Sequence, residues 1–207
     1  VLILGNKPMN MNDIFRNIYE RRAVRKYKAK AVDKKTIEQL IDAARMAPSA
    51  MNKQPWKFYI ATKQDEIQYF SKEISKSALK HFRQMGIFRS IKTIASSLSA
   101  LSHGLDFFKT EDPVFHNAPI VIFITAPKKN EWAGLDIGMC AQNIMLAAQS
   151  LGLASCPVGF GKFIMKTKAY PKLGIPKEEQ VHIALIIGYG DETPKVHDRK
   201  KDNLFWL

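Results

Sequence analysis

The stretch Ala47-Pro48-Ser49-Ala50-Met51-Asn52-Lys53-Gln54-Pro55-Trp56 joins two segments of different periodicity. Before it, Ile37, Leu40, Ile41 and Ala44 recur at helical spacing behind Asp33, a suitable N-cap. After it, Lys57-Phe58-Tyr59-Ile60-Ala61-Thr62 alternates as a strand does. A loop between helix and strand is a usual place for binding residues, because the scaffold holds it while its backbone stays free. Two prolines stiffen this one and leave few amides for regular structure. Ser49 and Asn52 can hydrogen-bond a polar ligand, and Trp56 is expected to anchor the loop in the core. Taken alone, the stretch serves equally well as a plain connection.

Toward the N-terminus, Ile14, Phe15 and Ile18 predict a helix over 12–22 with Asn12 as its N-cap. It ends in Glu20-Arg21-Arg22-Ala23-Val24-Arg25. If the chain extends after Arg22, Arg21 and Arg25 converge on a forked cationic site suited to phosphate. A basic helix end that complements the macrodipole explains the same residues, and from this stretch alone it is the stronger reading.

Toward the C-terminus, 67–82 and 87–101 read as helices. Met85, Phe88, Phe107, Phe108 and Phe115 would fill a core or cover a pocket, core being the safer reading for each. Pro119 opens Ile120-Val121-Ile122-Phe123-Ile124-Thr125, a β-branched run expected of a central strand. The apolar segment 133–151 carries Asp136, Gln142, Asn143 and Gln149, so it predicts a buried helix rather than a membrane span, with Gly152 as its left-handed terminator. Small residues follow in Ala154-Ser155-Cys156-Pro157-Val158-Gly159-Phe160-Gly161, where a backbone can approach a flat ligand closely. Residues 181–188 form another strand pattern. The tail closes on Leu204-Phe205-Trp206-Leu207, an apolar end expected to dock, with a second subunit as one candidate surface.

The 207 residues, 46% hydrophobic and 25% charged, suit a single domain with a substantial core. Two cysteines, Cys140 and Cys156, form neither a disulfide framework nor a zinc or redox pair. Buried free thiols in a reducing cytoplasm are expected. A net charge of +13 favours anionic partners but names none, and lysines 26, 28, 30, 34 and 35 read as solvated surface. No GxGxxG follows a strand, and no Walker A, HExxH, GxSxG or Cys/His cluster is present, so no metal is expected. No helix-turn-helix or RNP-type pattern accompanies the charge.

Together the separated pieces resemble the FMN-dependent nitroreductase family. Arg21-Arg22-Ala23-Val24-Arg25 is similar to its Arg-Arg-Ser-x-Arg motif, and Ala47 to Trp56 to its Ala-Pro-Ser-x-x-Asn-x-Gln-Pro-Trp motif. Asn117-Ala118-Pro119, the helix end Ala147 to Leu153 and Gly188-Tyr189 agree. The resemblance covers 12–207 and is weakest between 66 and 112. Residues 1–11 are then an N-terminal extension, and 12–207 one FMN-binding domain whose variable helical cover spans 66–112.

The resemblance implies an α+β fold, a central, mainly antiparallel sheet wrapped by helices, in an intertwined homodimer with FMN at the interface. It assigns Arg21, Arg22 and Arg25 to the FMN phosphate, ribityl chain and pyrimidine edge. Ala23 stands where a serine is common, so only its backbone can contribute. Pro48, Ser49 and Ala50, with Asn52 as a further member, belong to the loop reaching the flavin from the other chain. Pro157, Val158 and Gly159 lie against the ring, with the Gly159 backbone near N5. Arg199 is the C-terminal phosphate ligand and Lys200 its helper. The expected activity is reduction of nitroaromatic, quinone or similar small-molecule acceptors by NADH or NADPH in a ping-pong hydride transfer. FMN carries the chemistry, and no catalytic side chain is assigned. No nucleic acid or membrane partner is expected. The rival readings are a flavin-binding protein without NAD(P)H turnover and, much weaker, a basic nucleic-acid-binding protein.

Overall fold

The computed structural model describes residues 11–84, 111–200 and 202–207. The expected helix at 87–101, and Met85, Phe88, Phe107 and Phe108 of the expected cover, lie outside the described residues.

Helix α1 spans Met11–Glu20, so Asn12 lies inside its first turn instead of capping it. Helix α2 spans Lys34–Arg45. Asp33 caps it as expected, its carboxylate accepting the Thr36 N–H at 2.8 Å. Then come strand β1 (Lys57–Ala61), helix α3 (Gln64–Gln84), strand β2 (Ile120–Pro127) and helix α4 (Ala133–Ser150). Strand β3 (Ala154–Val158) runs into a 3-10 helix, Gly159–Lys166, and strand β4 (Glu179–Gly188) completes the sheet. Gly152 ends the α4 connection with φ 71°, as its sequence position predicts.

The sheet order is β1-β2-β4-β3, with every pairing antiparallel. This is the α+β arrangement that the sequence led one to expect. Strand β2 is buried on both faces, which is why it reads as an unbroken apolar run. Ile120, Ile122 and Ile124 point into one core with Leu40 and Ala44 of α2, Trp56, and Ile137 and Ile144 of α4. Val121 and Phe123 point into the other with Ile67, Phe70 and Ile74 of α3, Phe115 and Ile164. Full burial of each such side chain contributes about 1.5–3 kcal/mol, so the sheet is clamped between two layers. Phe115 belongs to the core, fully buried and edge-on to Phe123 at 5.8 Å.

Among the described residues no helix is long and apolar enough to cross a membrane. Nor is α4 wholly buried: Gly134, Leu135 and Gly138 are exposed. Within one chain only its inward residues, among them Ile137, Cys140, Ile144 and Ala148, belong to the core.

Candidate active site

After α1 the chain extends and lies along the sheet edge. Ala23 bridges Ser155 of β3 in parallel, and Tyr27 bridges Gly190 beyond β4. Val24 N–H donates to the Ser155 carbonyl at 3.1 Å, and Lys28 N–H to that of Tyr189 at 2.8 Å. These bonds fix the arginine stretch against the strand that delivers Pro157, Val158 and Gly159.

Arg21 and Arg22 are half-buried and Arg25 is exposed. Arg22 Nη1 donates to the carbonyls of Tyr19 and Arg21. Arg21 Nη1 and Arg22 Nε are buried and have no partner among the described residues. Buried polar groups are nearly always hydrogen-bonded, and a desolvated cationic N–H left alone is expensive. Two such groups on adjacent arginines suit an anion with several acceptor oxygens. Arg25 is held through its backbone, its N–H donating to Glu192 Oε1 at 2.6 Å.

Cys156 is buried, and burial pushes its thiol up against the opposing pull of Arg25 and Arg21. Burial, with smaller pushes from Cys156 and Glu192, raises the Tyr27 phenol far above its ordinary value. Burial also lowers His116, with Arg25 adding to the effect and Asp112 opposing it. Cys140, on α4, is pushed up to about 12 by burial. Both cysteines are free thiols, as expected, and neither is poised as a nucleophile. Among the described residues no cluster of His, Cys, Asp or Glu could hold a metal. The site offers cations and backbone groups.

At the end of β3, Val158 is buried while Pro157 and Gly159 are exposed. A Cβ added to Gly159 would meet nothing within 4 Å, so its backbone is open to a ligand. Two residues on, Gly161 is pressed onto β4, where an added Cβ would lie 2.4 Å from that of Ala184.

The loop of the opening stretch turns through a short 3-10 helix, Ala50–Asn52. Met51, Asn52 and Gln54 have φ of 54°, 53° and 45°. Trp56 is 7% exposed and anchors the loop as predicted. Ser49 Oγ accepts the Gln54 N–H at 2.9 Å, and Asn52 Oδ1 accepts from Gln54 Nε2 at 3.0 Å. Their side chains thus serve the turn itself first. Pro48 lines a groove of about 430 Å³ with Gly134, Leu135, Gly138, Met139, Gln142 and Asn143 along the outer side of α4.

Among the described residues no hydrogen bond or ion pair joins this loop to the arginine stretch or to 157–159. Arg199 and Lys200 are exposed on the tail, Arg199 Nη1 bonding the carbonyl of His197 at 2.7 Å. Sequence reasoning gave no role to Asp136 or Glu192. Asp136 was visible only as a carboxylate in an otherwise apolar helix, and Glu192 had no local signal.

A model of the Nitroreductase family matches residues 18–189. A 4-nitrobenzoate reductase of Pseudomonas putida is 28% identical over 201 residues, covering 87% of this chain and 86% of its own. Nitroreductase NfnB of Mycolicibacterium smegmatis is 27% identical, covering 88% of this chain and 85% of its own. Among solved structures, an FMN-bound nitroreductase from Desulfitobacterium hafniense has a TM-score of 0.75 at 23% identity, covering 96% of this chain and 100% of that one.

Proposed function

The chain belongs to the Nitroreductase family, and on that premise we propose that it is an FMN-dependent oxidoreductase taking electrons from NADH or NADPH. Its acceptors are nitroaromatics, quinones or similar electron-poor small molecules. The observation that carries this reading is the pair of buried, unpartnered nitrogens on Arg21 and Arg22, at the head of the strand that leads to the open backbone of Gly159. The FMN bound to the Desulfitobacterium hafniense nitroreductase and the nitroreductase names of the relatives support it.

Arg21 and Arg22 would hold the FMN phosphate and ribityl chain, and Arg25 the pyrimidine edge, where a fixed positive charge favours the electron-rich state. Ala23 contributes backbone only. Pro157, Val158 and Gly159 would support the ring. FMN would supply the hydride chemistry, so the chain's own tasks are to bind, orient and exclude water. Donor and acceptor would alternate in one opening, which gives parallel initial-rate lines.

Pro48, Ser49, Ala50 and Asn52 would reach the cofactor of a second copy, with Arg199 and Lys200 completing the phosphate site. This homodimer is supported by the lack of any direct bond, among the described residues, between the two halves of the site within one chain. The exposed apolar groups on α1 (Ile14 45%, Phe15 55%) and the tail (Phe205 78%, Trp206 89%) support it too.

The test is an anaerobic absorbance spectrum of the purified protein before and after adding NADH or NADPH. Flavin bands near ~450 nm that bleach are expected. Bands that persist would leave a flavin-binding protein without turnover, and no flavin after reconstitution would sink the reading.

A further inference from the structure

The loop 48–54 carries three non-glycine residues in the left-handed region, Met51, Asn52 and Gln54. Such residues cost on the order of 1 kcal/mol or more each and persist where their surroundings over-determine them. Most hydrogen bonds that hold this turn are internal. Asn52 N–H donates to Ser49 O at 2.9 Å and Lys53 N–H to Ala50 O at 3.1 Å, while Gln54 is bonded to Ser49 and Asn52 side chains. Among the described residues one bond ties the turn to the rest of the fold: Ala50 N–H donates to Asp136 Oδ1 at 3.1 Å, across 86 residues.

Asp136 is 1% exposed, in the first turn of α4, and its buried Oδ2 has no partner among the described residues. A carboxylate kept dry with one oxygen unsatisfied is costly to the fold. A helix N-terminus offsets part of that cost, but Asp136 is buried too deeply for a surface dipole effect to be its purpose. Among the described residues, the one hydrogen bond its carboxylate makes is with the loop.

We propose that Asp136 is a positioning residue for the cofactor: through the Ala50 N–H it holds the left-handed turn in the shape that presents Pro48, Ser49 and Ala50 to FMN. This rests on the reading of 48–50 as the cofactor loop. Asp136 itself need not touch cofactor or substrate. Without it, the turn would relax toward ordinary backbone and FMN would have to pay the ordering entropy on binding.

The test uses the full chain, with two readouts: amide exchange across residues 49–54 in FMN-free protein, and FMN affinity by fluorescence titration. In D136A the protection of the Ala50 and Gln54 amides should fall, and FMN should bind about tenfold more weakly or worse, the scale of one lost charged hydrogen bond. D136N keeps an acceptor for Ala50 and leaves the second oxygen's place no worse satisfied, so it should restore both readouts to within about threefold of the unmodified protein. A purely structural need for the charge would not be rescued this way.

A50P removes the donor instead. Ser49 is extended, with φ −145° and ψ 154°, and Ala50 is the first residue of the 3-10 helix, the helical position at which proline is best tolerated. A50P should match D136A, and the double variant should be no worse than either. These results would support the assignment. FMN affinity unchanged in D136A or in A50P, or a D136N that fails to rescue, would overturn it. If D136A does not fold, A50P decides. An unmodified protein that binds no FMN would instead overturn the reading of the loop, and this inference with it.

Discussion

Replacing Gly161 with alanine tests how the fold positions Gly159. The new Cβ would lie 2.4 Å from the Ala184 Cβ, and 3.1 and 3.3 Å from the backbone N and Cα of that residue. Carbon atoms pack at ~3.5–4.0 Å, so about 1 Å of separation must be found. Strand β4 cannot provide it, because it is bonded to β2 on one side and β3 on the other. The 3-10 helix Gly159–Lys166 must lift, and Gly159 is two residues away. Overpacking of this kind costs about 1–3 kcal/mol. A displacement near 1 Å beside the reacting groups can lower turnover by up to ~10²-fold. The assay is urea unfolding at fixed protein concentration, with NAD(P)H-driven turnover measured in parallel. A184G opens the space from the other side at a cost of about 0.5–1 kcal/mol or more for glycine in a strand. The double variant G161A/A184G should therefore lose less than the sum of the two single variants, with the backbone contacts at 3.1 and 3.3 Å remaining, a coupling of roughly 1–3 kcal/mol. An unchanged midpoint in G161A, or strictly additive losses in the double variant, would refute this account of the contact.

Arg21→Ala or Arg22→Ala should weaken FMN binding by about 1.5–3 kcal/mol per lost charged hydrogen bond, with unfolding little changed. Arg25→Ala should do the same through the pyrimidine edge. Lys34→Ala is the control, since its Nζ lies 3.6 Å from Glu38 and its side chain is 90% exposed; a fluorescence titration in which it behaves like the arginine variants would remove the phosphate assignment. Glu179→Leu should destabilise by about 1–3 kcal/mol, because Thr125 Oγ1 donates to that buried carboxylate at 2.5 Å and would lose its acceptor. Adding Thr125→Val should recover part of the loss in thermal midpoint. Glu179 is held below the usual carboxylate range despite its burial, by hydrogen bonds from Lys57, Thr125 and Tyr59. Its contribution is therefore present above its unfolded value of about 4.5 and lost as pH falls through the lower folded value. His116 and His182 are both lowered by burial. The unfolded chain then takes up protons first, so their contribution is complete above pH ~6.5 and declines as pH falls below it. A thermal-midpoint profile of H116Q/H182Q should be flatter between pH ~6.5 and the folded values than that of the unmodified protein.

Much of the fold could be read from local pattern. Asp33 announced helix α2 because an N-cap is satisfied by its near neighbour Thr36. Strand β2 announced itself because burial on both faces removes the polar alternation. Asn12 failed as a cap because α1 begins one residue earlier, and helix ends shift by a residue or two with little energy at stake. The arginines were ambiguous alone: what the structure adds is Ala23 pairing with Ser155, a contact across more than a hundred residues that no local pattern encodes. Glu192 was silent for the same reason, since it meets the Arg25 N–H only once β4 has placed it there.

The loop 47–56 shows where motif and physics part. Its residues predicted a stiff, polar turn, and Trp56 packs as expected. Nothing in Met51 or Gln54 announces a left-handed backbone, which glycine or asparagine would ordinarily supply. The turn is therefore not locally favoured, and it must be imposed. Ser49 and Asn52, which look in sequence like ligand-binding groups, use hydrogen bonds to close the turn. The backbone they shape, rather than their side chains, is what the loop has left to offer a flat polar ligand. Asp136 completes the constraint from a helix whose apolar sequence gives a carboxylate no other reason to be buried. Strain held this way makes a binding surface rigid before the ligand arrives, so the ordering cost falls on folding instead of binding.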